Sequence, residues 1–368
     1  MDLFRTKPIN ADAYCDTGLR RCLSAWDLTL LGIGAIVGAG IFVLTGVVAA
    51  THAGPAIILS FVIAGLACAF AALSYAELAA TVGGCGSAYG YAYAGLGEFV
   101  AWIIGWDLIL EYGVALPAVA IGWSGYMSNA LEAIGLGLPA ALLKAPVEGG
   151  IVNLPAMVII LLLAVLLAAG VHLSARINAI MVFVKLLAIA IFIGVALFHV
   201  QPAHWQPFNP FGWNGIVTGA SLIFFAYIGF DAVSTAAEEA IDPPRDLPIG
   251  ILGSLAVCTV IYIAVAGLLT GIAPYTTLNV SSPVADVLLR IGQNWAAGVV
   301  AVGAIVGITT VMLVLYYGLG RIFLAMSRDG LLPPVFAAIH PRPRAPVRVI
   351  FASGLIMAAI AGLMPIGE

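Results

Sequence analysis

Residues 28–46 read LTLLGIGAIVGAGIFVLTG, an apolar run long enough to cross a membrane. Four glycines lie near its middle, namely Gly32, Gly34, Gly38 and Gly40. Glycine lowers the stability of a helix and allows unwound backbone. Because unwound backbone at membrane depth is tolerated only where it lines protein or a wet cavity, the stretch predicts a spanning helix that is interrupted near its centre.

A second apolar stretch has the same character. Residues 219–239 read GASLIFFAYIGFDAVSTAAEE, with Gly229 at mid-depth and Asp231 just beyond it. For either stretch alone, close helix packing through spacings such as Gly34-xxx-Gly38 explains the glycines equally well. As a pair, the two stretches occupy matching positions of two five-helix halves, and paired interruptions of this kind indicate a transporter binding site.

The composition requires lipid as the solvent for much of the chain. Hydrophobic residues make up 62% of the 368 residues and charged residues 9%, whereas soluble domains carry about a quarter charged residues. The net charge of −4 argues against nucleic acid as a partner. The five cysteines and five histidines show no metal-ligand spacing, so we expect neither a metal site nor a cofactor.

Apolar runs of spanning length recur along the chain and are separated by turn-rich breaks. We place nine, at about 27–50, 55–80, 97–129, 152–172, 176–199, 214–237, 248–272, 296–326 and 347–364. The predicted fold is all-α and integral to the membrane, with an N-terminal segment at 1–26, a first inverted repeat at 27–200 and a second at 201–368. Two complete halves of five need ten spans, so we expect a chain truncated before the tenth helix.

The basic residues predict the orientation. With the N-terminus in the cytoplasm, eleven of the 14 Lys and Arg residues fall on the cytoplasmic side, which satisfies the positive-inside rule. They are Arg5, Lys7, Arg20, Arg21, Arg176, Arg245, Arg321, Arg328, Arg342, Arg344 and Arg348. The charged stretches 238–250 and 320–333 also fall there, where we expect salt-bridged loop structure, with gating contacts as the functional alternative. We expect the membrane to be the plasma (cell inner) membrane.

A broken helix suits an amino acid, which presents a carboxylate and an ammonium whatever its side chain. The start of the second half-helix exposes N–H groups and a positive dipole end, and the end of the first half-helix exposes carbonyls. We predict that the carboxylate is bound by N–H groups at Gly38, Ala39, Gly40 and Ile41. We predict that the ammonium is bound by carbonyls at Ile36, Phe225, Ala226 and Ile228. Phe225 is also placed to close over the substrate.

Lys185 is the most informative single residue. It lies nine residues past Arg176, which at about 1.5 Å per residue is close to the membrane midplane. A lysine at that depth is expensive and usually functional. Three interpretations carry similar weight: a proton carrier for coupled transport, a fixed ammonium that replaces a sodium ion, and a plain interhelical ion pair.

Two carboxylates share one face of the third span. Asp107 and Glu111 are four residues apart in WDLILEYG. Glu111 should face the interior, where it either pairs with Lys185, bonds to unwound backbone or meets a cationic substrate side chain. For Asp107 we expect a structural pairing. Asp231 is predicted to stabilise the start of the half-helix that follows the second break.

The motifs that carry these residues also carry a resemblance. The sequence resembles the cationic amino acid transporter branch of the amino acid–polyamine–organocation superfamily, in the manner of a bacterial permease. The matching motifs, which cover almost the whole chain in order, are LLGIGAIVGAGIFVLTG, HAGPA, SYAELA, GSAYGYAYAGLGE, WDLILEYG, SARINA, FFAYIGFDAVSTAAEEA, PPRDLPIGI and SRDGLLP.

The resemblance implies a LeuT-like inverted repeat with discontinuous helices one and six, alternating access and proton-coupled uptake. It implies substrate contacts at Ile36, Ala39, Gly40, Phe225 and Ile228. It also implies that Lys185 takes the place of sodium and that Leu315 or Tyr316 limits the size of the pocket.

The partners we expect are an amino acid, a proton and membrane lipid, with a small accessory membrane subunit as a further candidate. The alternatives within this reading are an exchanger of amino acids or polyamines and a sensor that binds without transport. An enzyme is not expected, because the chain has neither an HExxH nor a GxSxG motif.

Overall fold

A computed structural model describes residues 5–7, 21–82, 86–133, 135–280, 282–341 and 344–364. Most of the predicted N-terminal segment 1–26, the end of the chain at 365–368, and Cys15 and Cys85 lie outside the described residues. The described part is helical, apart from two isolated bridges that pair Leu23 with Ala240 and Leu143 with Asn153.

Twelve α-helices occur in the described residues. They are α1 (Ala25–Ile36), α2 (Thr45–Val48), α3 (Ile57–Thr81), α4 (Ala88–Gly95), α5 (Glu98–Ala133), α6 (Leu154–Ala168), α7 (Val171–Leu197), α8 (Gly212–Phe224), α9 (Pro243–Ile272), α10 (Pro283–Arg290), α11 (Asn294–Arg328) and α12 (Val347–Leu363). Two π-helical turns, Gly40–Leu44 and Ala49–Ala53, flank α2. Short 3₁₀ helices lie at Gly54–Ala56, Ala140–Leu142, Pro146–Glu148, Pro202–Trp205, Phe225–Tyr227, Asp231–Glu239, Tyr275–Thr277 and Pro334–Ala337.

Six helical stretches of the described chain are long and apolar enough to cross a membrane. They are Gly40–Thr81, Glu98–Glu132, Ser174–Leu197, Gly212–Glu239, Pro243–Ile272 and Asn294–Arg328. Three shorter apolar helices accompany them, at Ala25–Ile36, Leu154–Ala168 and Val347–Leu363. The chain is thus built as a multi-pass membrane protein, and the count of nine spans stays a prediction.

The first predicted interruption is present in α1. This helix begins at a capping box, in which the Asp27 N–H donates to Ser24 Oγ and the Ser24 N–H donates to Asp27 Oδ2. It ends at Ile36, because Val37 adopts an extended backbone with φ −79° and ψ 98°. Helical structure resumes at Gly40 and continues to Ala53 through α2 and its two π-helical turns.

The second predicted interruption follows α8. One 3₁₀ turn, Phe225–Tyr227, leads into Ile228 with φ −55° and ψ 136° and then Gly229 with φ +113°. Residues with a side chain rarely adopt that φ, so glycine is what allows the chain to turn here. Helical structure resumes as the 3₁₀ helix Asp231–Glu239.

Helix α1, the first half of the first broken helix, is surrounded by other helices. It packs against α7, α9 and α11, three of the long apolar helices. Leu28, Ile33 and Ile36 are almost fully buried in these contacts. The position matters because every backbone group left unpaired by the break must find a partner on one of these neighbours.

Ion pairs cluster at the far end of the second broken helix. Glu239 is fully buried and pairs with the buried Arg321 at 2.5 Å, and Tyr317 on the preceding turn of α11 donates to the same carboxylate. Glu238 pairs with Arg328 at 2.6 Å. The two charged stretches are therefore salt-bridged as predicted, but the four paired residues lie in helices and not in loops, because the 3₁₀ helix and α11 continue through them.

A neighbouring cluster gathers on Asp329, just beyond α11. Lys7 pairs with its carboxylate at 2.6 Å and Tyr89 on α4 donates to it at 2.9 Å. Burial, and then the negative charge of Asp329, raise the pKa of Tyr89 above its ordinary value. The phenol therefore stays protonated and remains a hydrogen-bond donor, which joins α4 to the end of α11.

The Arg321–Glu239 pair makes a stability prediction. Removing one partner of a buried ion pair leaves an uncompensated charge and costs about 3–5 kcal/mol. Arg321→Met should therefore lower the melting temperature of the detergent-purified protein strongly. Arg290→Met is the matched control, since the exposed Arg290 and the half-buried Asp286 form a pair that is open to solvent, and such pairs contribute about 0–1 kcal/mol. Equal losses in the two variants would contradict the prediction.

Candidate functional site

The two interruptions touch each other. A Cβ added at Gly40 would collide with the side chain of Ala226 and lie 2.7 Å from its Cα. A Cβ added at Gly229 would lie 2.8 Å from the Cβ of Ala35. The unwound segments of the first and second broken helices therefore face each other with no side chain between them at these points. Sequence patterns predicted both breaks, and the structure brings them together.

A cavity of about 360 Å³ opens beside this contact. Its volume is near the lower end of the about 300–1,000 Å³ that is typical of small-ligand pockets. The lining comes from both breaks and from α5 and α11, and consists of Ala35, Ile36, Gly38, Ala39, Gly40, Glu111, Val114, Ala115, Ala118, Val119, Phe225, Ala226, Ile228, Val311 and Leu315. Glu111 is the one charged side chain among these residues.

The residues at the restart of the first broken helix, Gly38, Ala39 and Gly40, line this cavity. The N–H groups of Gly38 and Ala39 make no backbone hydrogen bond to the described residues. Gly40 begins the next helical turn, where an N–H has no intrahelical partner, and no side chain caps that turn. Three consecutive donors are therefore available beside the cavity.

Ile41 differs from its prediction as a fourth donor. Its N–H donates to the Gly38 carbonyl at 3.3 Å, and the Phe42 N–H reaches the same oxygen at 3.4 Å. The physical reason is that the first helical turn after the break closes back onto the Gly38 carbonyl, three and four residues earlier, which satisfies these amides locally. The Ile41 side chain is buried and does not line the cavity.

The predicted carbonyls are partly occupied by a tyrosine of α9. The fully buried Tyr262 directs its hydroxyl at Ile36 O, 2.7 Å away, and at Ala226 O, 2.9 Å away. One hydroxyl group therefore lies within hydrogen-bonding distance of a carbonyl oxygen from each break. Each carbonyl oxygen has two lone pairs, so both keep the capacity to accept a further hydrogen bond.

Lys185 binds the end of α1 and lies outside the cavity lining. Its side chain is fully buried on α7 and does not reach the cavity. Nζ lies within hydrogen-bonding distance of four oxygens: Ile33 O at 3.0 Å, Gly34 O at 3.1 Å, Val37 O at 2.8 Å and Thr310 Oγ1 at 2.7 Å. All four partners are neutral, so the interhelical ion pair, including the pairing with Glu111, is not found among the described residues.

Glu111 and Asp107 lie on an exposed face of α5. Glu111 lines the cavity without a hydrogen bond or ion pair to the described residues, which leaves contact with a ligand as the remaining one of its three predicted roles. Asp107 likewise shows no such bond in the described part of the chain, so the structural pairing predicted for it is not found. It lies outside the cavity lining, one helical turn before Glu111.

Asp231 is placed as predicted, at the first residue of the 3₁₀ helix that follows the second break. Its buried carboxylate accepts a hydrogen bond from the hydroxyl of Tyr112, the residue after Glu111 on α5. A carboxylate at this position favours the N–H groups of the helix start. The contact also ties the cavity wall on α5 to the second break.

Three side chains that sequence reasoning missed complete the site. Thr310 binds Lys185, Tyr262 joins the breaks, and Tyr112 holds Asp231. The available signal was a hydroxyl within an apolar span. That signal is weak, because such residues often bond back to their own helix, as Thr270 does. Of the two residues suggested to limit pocket size, Leu315 lines the cavity, whereas Tyr316 donates to Ile350 O on α12.

Comparison with known proteins identifies the family. The family model described as amino acid permease matches residues 23–368. The chain belongs to the amino acid permease family. Its several long apolar helices make this permease a multi-pass membrane protein. Its family and its relatives are transporters and not enzymes.

Relatives span bacteria and animals. The permease is 51% identical over 99% of its length to the methylthioribose transporter of Bacillus subtilis, covering 80% of that protein. It is 50% identical over its full length to the branched-chain amino acid permease BcaP of the same organism, again covering 80%. Against human cationic amino acid transporter 4 the identity is 40% over 98% of the chain and 58% of the relative. This places it in the cationic amino acid transporter branch of the amino acid–polyamine–organocation superfamily.

Solved structures of LeuT-like transporters share the fold. A substrate-bound, outward-open Na⁺-coupled sialic acid symporter aligns with a TM-score of 0.64 and 12% identity, over 97% of this chain and 76% of that one. MhsT in complex with L-phenylalanine aligns with a TM-score of 0.63 and 17% identity, over 93% and 79%. At these identities the likeness concerns the fold alone.

The close contact between the breaks predicts a sharp effect of one methyl group. Gly40→Ala places a Cβ against Ala226 and should cost about 1–3 kcal/mol of stability by overpacking. It should also abolish substrate uptake, because the added methyl group pushes apart the two segments that line the cavity. Gly113→Ala on α5 is the control, since a Cβ there meets nothing within 4 Å. Melting temperatures and uptake rates in proteoliposomes measure both effects, and normal uptake by Gly40→Ala would refute the argument.

Proposed function

We propose that the permease takes up small neutral and cationic L-amino acids by alternating access, coupled to protons, with the cavity as its substrate site. The observation that carries this proposal is the meeting of two broken helices at one cavity. Each break presents backbone groups there that can make further hydrogen bonds, and such groups recognise the ammonium and carboxylate that all amino acids share.

The carboxylate is bound by the three donors at the restart of the first broken helix. Gly38, Ala39 and Gly40 offer successive N–H groups beside the cavity. The positive end of the helix dipole adds to their attraction for an anion. Glycine at position 40 lets the ligand and the second break approach this backbone closely.

The ammonium is bound by carbonyls at the end of the first half-helix and at the second break. Ile36, Phe225, Ala226 and Ile228 all line the cavity. Tyr262 already directs its hydroxyl at two of these carbonyls, which holds them in place before the ligand arrives. The Phe225 side chain is half-exposed at the cavity, the position from which it closes over the substrate.

Lys185 is the coupling residue in this proposal. Its four oxygen partners suit a charged ammonium, which has three protons to donate and no lone pair. Loss of one proton removes a donor and the charge, and so weakens the hold on the end of α1. The protonation state of Lys185 thereby favours one position of the broken helix over another, which is what coupling requires.

The finer architecture follows the same proposal. Residues 27–200 and 201–368 form two inverted repeats, each starting with one broken helix, and nine helices span the membrane. The N-terminal segment 1–26 is cytoplasmic, and the protein resides in the plasma membrane of the cell. A small accessory membrane subunit is a further partner within this proposal. The excess of Lys and Arg on the predicted cytoplasmic side supports the orientation.

Proton coupling is tested in proteoliposomes. An inward proton gradient should drive accumulation of labelled alanine or arginine, and an ionophore that collapses the gradient should prevent it. Lys185→Met should abolish this driven uptake, because a thioether neither carries a proton nor holds the α1 carbonyls. Lys144→Met, which changes an exposed lysine, is the matched control.

Two results would count against this proposal. Uptake by the wild type that ignores the gradient would reject proton coupling. Driven uptake by Lys185→Met at the wild-type rate would remove Lys185 from the mechanism.

The substrate class is tested separately, because the relatives differ in what their names say they carry. Methylthioribose, the substrate in one relative's name, has neither an ammonium nor a carboxylate, whereas a branched-chain amino acid has both. We expect unlabelled amino acids to compete with labelled alanine and methylthioribose to fail, because the backbone donors and acceptors at the breaks would go unused.

Glu111 supplies a prediction about cationic substrates. It is the charged side chain of the cavity lining, so arginine and lysine should gain from it and alanine should not. Glu111→Gln should weaken arginine binding relative to alanine by roughly tenfold, or about 1.4 kcal/mol. Asp107→Asn, one turn away and outside the lining, should leave the ratio unchanged. An unaltered ratio in Glu111→Gln, measured by competition, would exclude the contact.

A further inference from the structure

Asn178 on α7 is a buried amide with an unmet hydrogen bond. Its side chain is 2% exposed, and Nδ2 donates to Leu30 O at 3.2 Å. Oδ1 has no hydrogen-bond partner among the described residues. Exchanging the two amide atoms would set an oxygen against the Leu30 carbonyl, so the orientation is the better one. A buried acceptor without a donor costs about 1–3 kcal/mol, so this oxygen requires an explanation.

Oδ1 faces the residue that Lys185 also binds. A Cβ added at Gly34 would lie 2.6 Å from Asn178 Oδ1. The carbonyl of Gly34 accepts from Lys185 Nζ at 3.1 Å and from Thr310 Oγ1 at 3.0 Å. Asn178 and Lys185 therefore meet at one residue of α1, and only the absence of a side chain on Gly34 makes room for the amide oxygen.

The polar residues of α7 run toward its N-terminal end. Ser174, Asn178 and Lys185 are buried and spaced by four and seven residues, which places them on one face of the helix. Ser174 lies near the start of α7 and donates to Gly170 O at 3.2 Å. Between Asn178 and Lys185 that face carries the buried, apolar Val182, so along α7 itself the polar line is interrupted.

The groups around Lys185 offer its proton no side-chain base. The side of α1 presents backbone carbonyls, and α11 presents the Thr310 hydroxyl. On α9, the thiol of Cys258 is the titratable group that faces it. No carboxylate or guanidinium of the described residues binds Nζ. The remaining chemical class of proton acceptor is water.

We infer that Asn178 Oδ1 binds a water molecule that takes the proton from Lys185 toward the N-terminal end of α7. In this step an Nζ–H bond breaks, its electron pair stays on the neutral amine, and the proton joins the water oxygen. The resulting hydronium donates a hydrogen bond to Oδ1. Asn178 is thus a positioning residue in the proton path, and the inference rests on the proposed coupling through Lys185.

A purely structural role for Asn178 makes a different prediction. Its oxygen would then be satisfied by the weak Cα–H donor of Gly34, and the amide would serve only to hold α7 against α1. Substitution would lower stability, and all transport modes would decline together. If Asn178 acts in the proton path, its substitution should instead slow only those transport modes in which Lys185 must release its proton.

Comparing net uptake with exchange separates the two roles. Net proton-driven uptake requires release of the proton in every cycle, whereas exchange of labelled for unlabelled substrate does not. We expect Asn178→Leu, which has a similar volume and no acceptor, to slow net uptake of alanine roughly tenfold, or about 1.4 kcal/mol. Exchange should stay near the wild-type rate. Ser254→Ala is the control. Ser254 on α9 is buried against Gly32 of α1, the helix that Asn178 also contacts, and its hydroxyl donates to Ile251 O.

Each outcome of this comparison either supports or overturns the inference. Equal rates in Asn178→Leu and wild type, or an equal fall of net uptake and exchange, would overturn the inference. If Asn178→Leu does not fold, Asn178→Asp keeps the oxygen and adds a charge that favours protonated Lys185. Its net uptake should then show a pH profile displaced to higher pH, and an unmoved profile would overturn the inference. Wild-type uptake that ignores the proton gradient would reject the proposed coupling itself, and the inference with it.

Discussion

Backbone groups freed inside an apolar helix bundle must find partners outside their own helix, and this constraint organises the structure around α1. The helix ends at Ile36, and the carbonyls of its last turn are then taken by side chains from three neighbours. Lys185 on α7 binds two of these carbonyls and that of the next residue, Val37, Thr310 adds a bond from α11, and Tyr262 reaches Ile36 O from α9. The long apolar helices are held together at this point because each satisfies part of the same break.

The side of the break that faces the cavity is arranged differently. There the freed N–H groups of Gly38 and Ala39 have no backbone partner in the described part of the chain, and the second break approaches closely through Gly40 and Gly229. The same interruption thus has a satisfied face toward Lys185 and an unsatisfied face toward the cavity. Under the proposed function, a ligand at the cavity completes the hydrogen bonding that the protein leaves open. Binding and the position of the broken helix are then parts of one equilibrium.

Sequence reasoning reached the local features of this arrangement and missed the long-range ones. Four glycines in an apolar run, and a second such run at the matching position, were enough to predict both breaks, and depth along α7 was enough to single out Lys185. The partners of Lys185 and the contact of Tyr262 with Ile36 join residues far apart in the chain, so no local pattern encodes them. The Ile41 N–H is not free as predicted, because the first turn after the break, whose start spacing does not reveal, bonds it to the Gly38 carbonyl.

In the proposed site, backbone atoms and side chains have different roles in substrate recognition. The atoms that would recognise an amino acid as such are backbone atoms, which a substitution does not remove. The side chains of the lining, such as Val119, Val311 and Leu315, are apolar and set the shape and size of the space. Under the proposed function, a change from one amino acid to another therefore requires new lining side chains, while the pair of breaks stays the same.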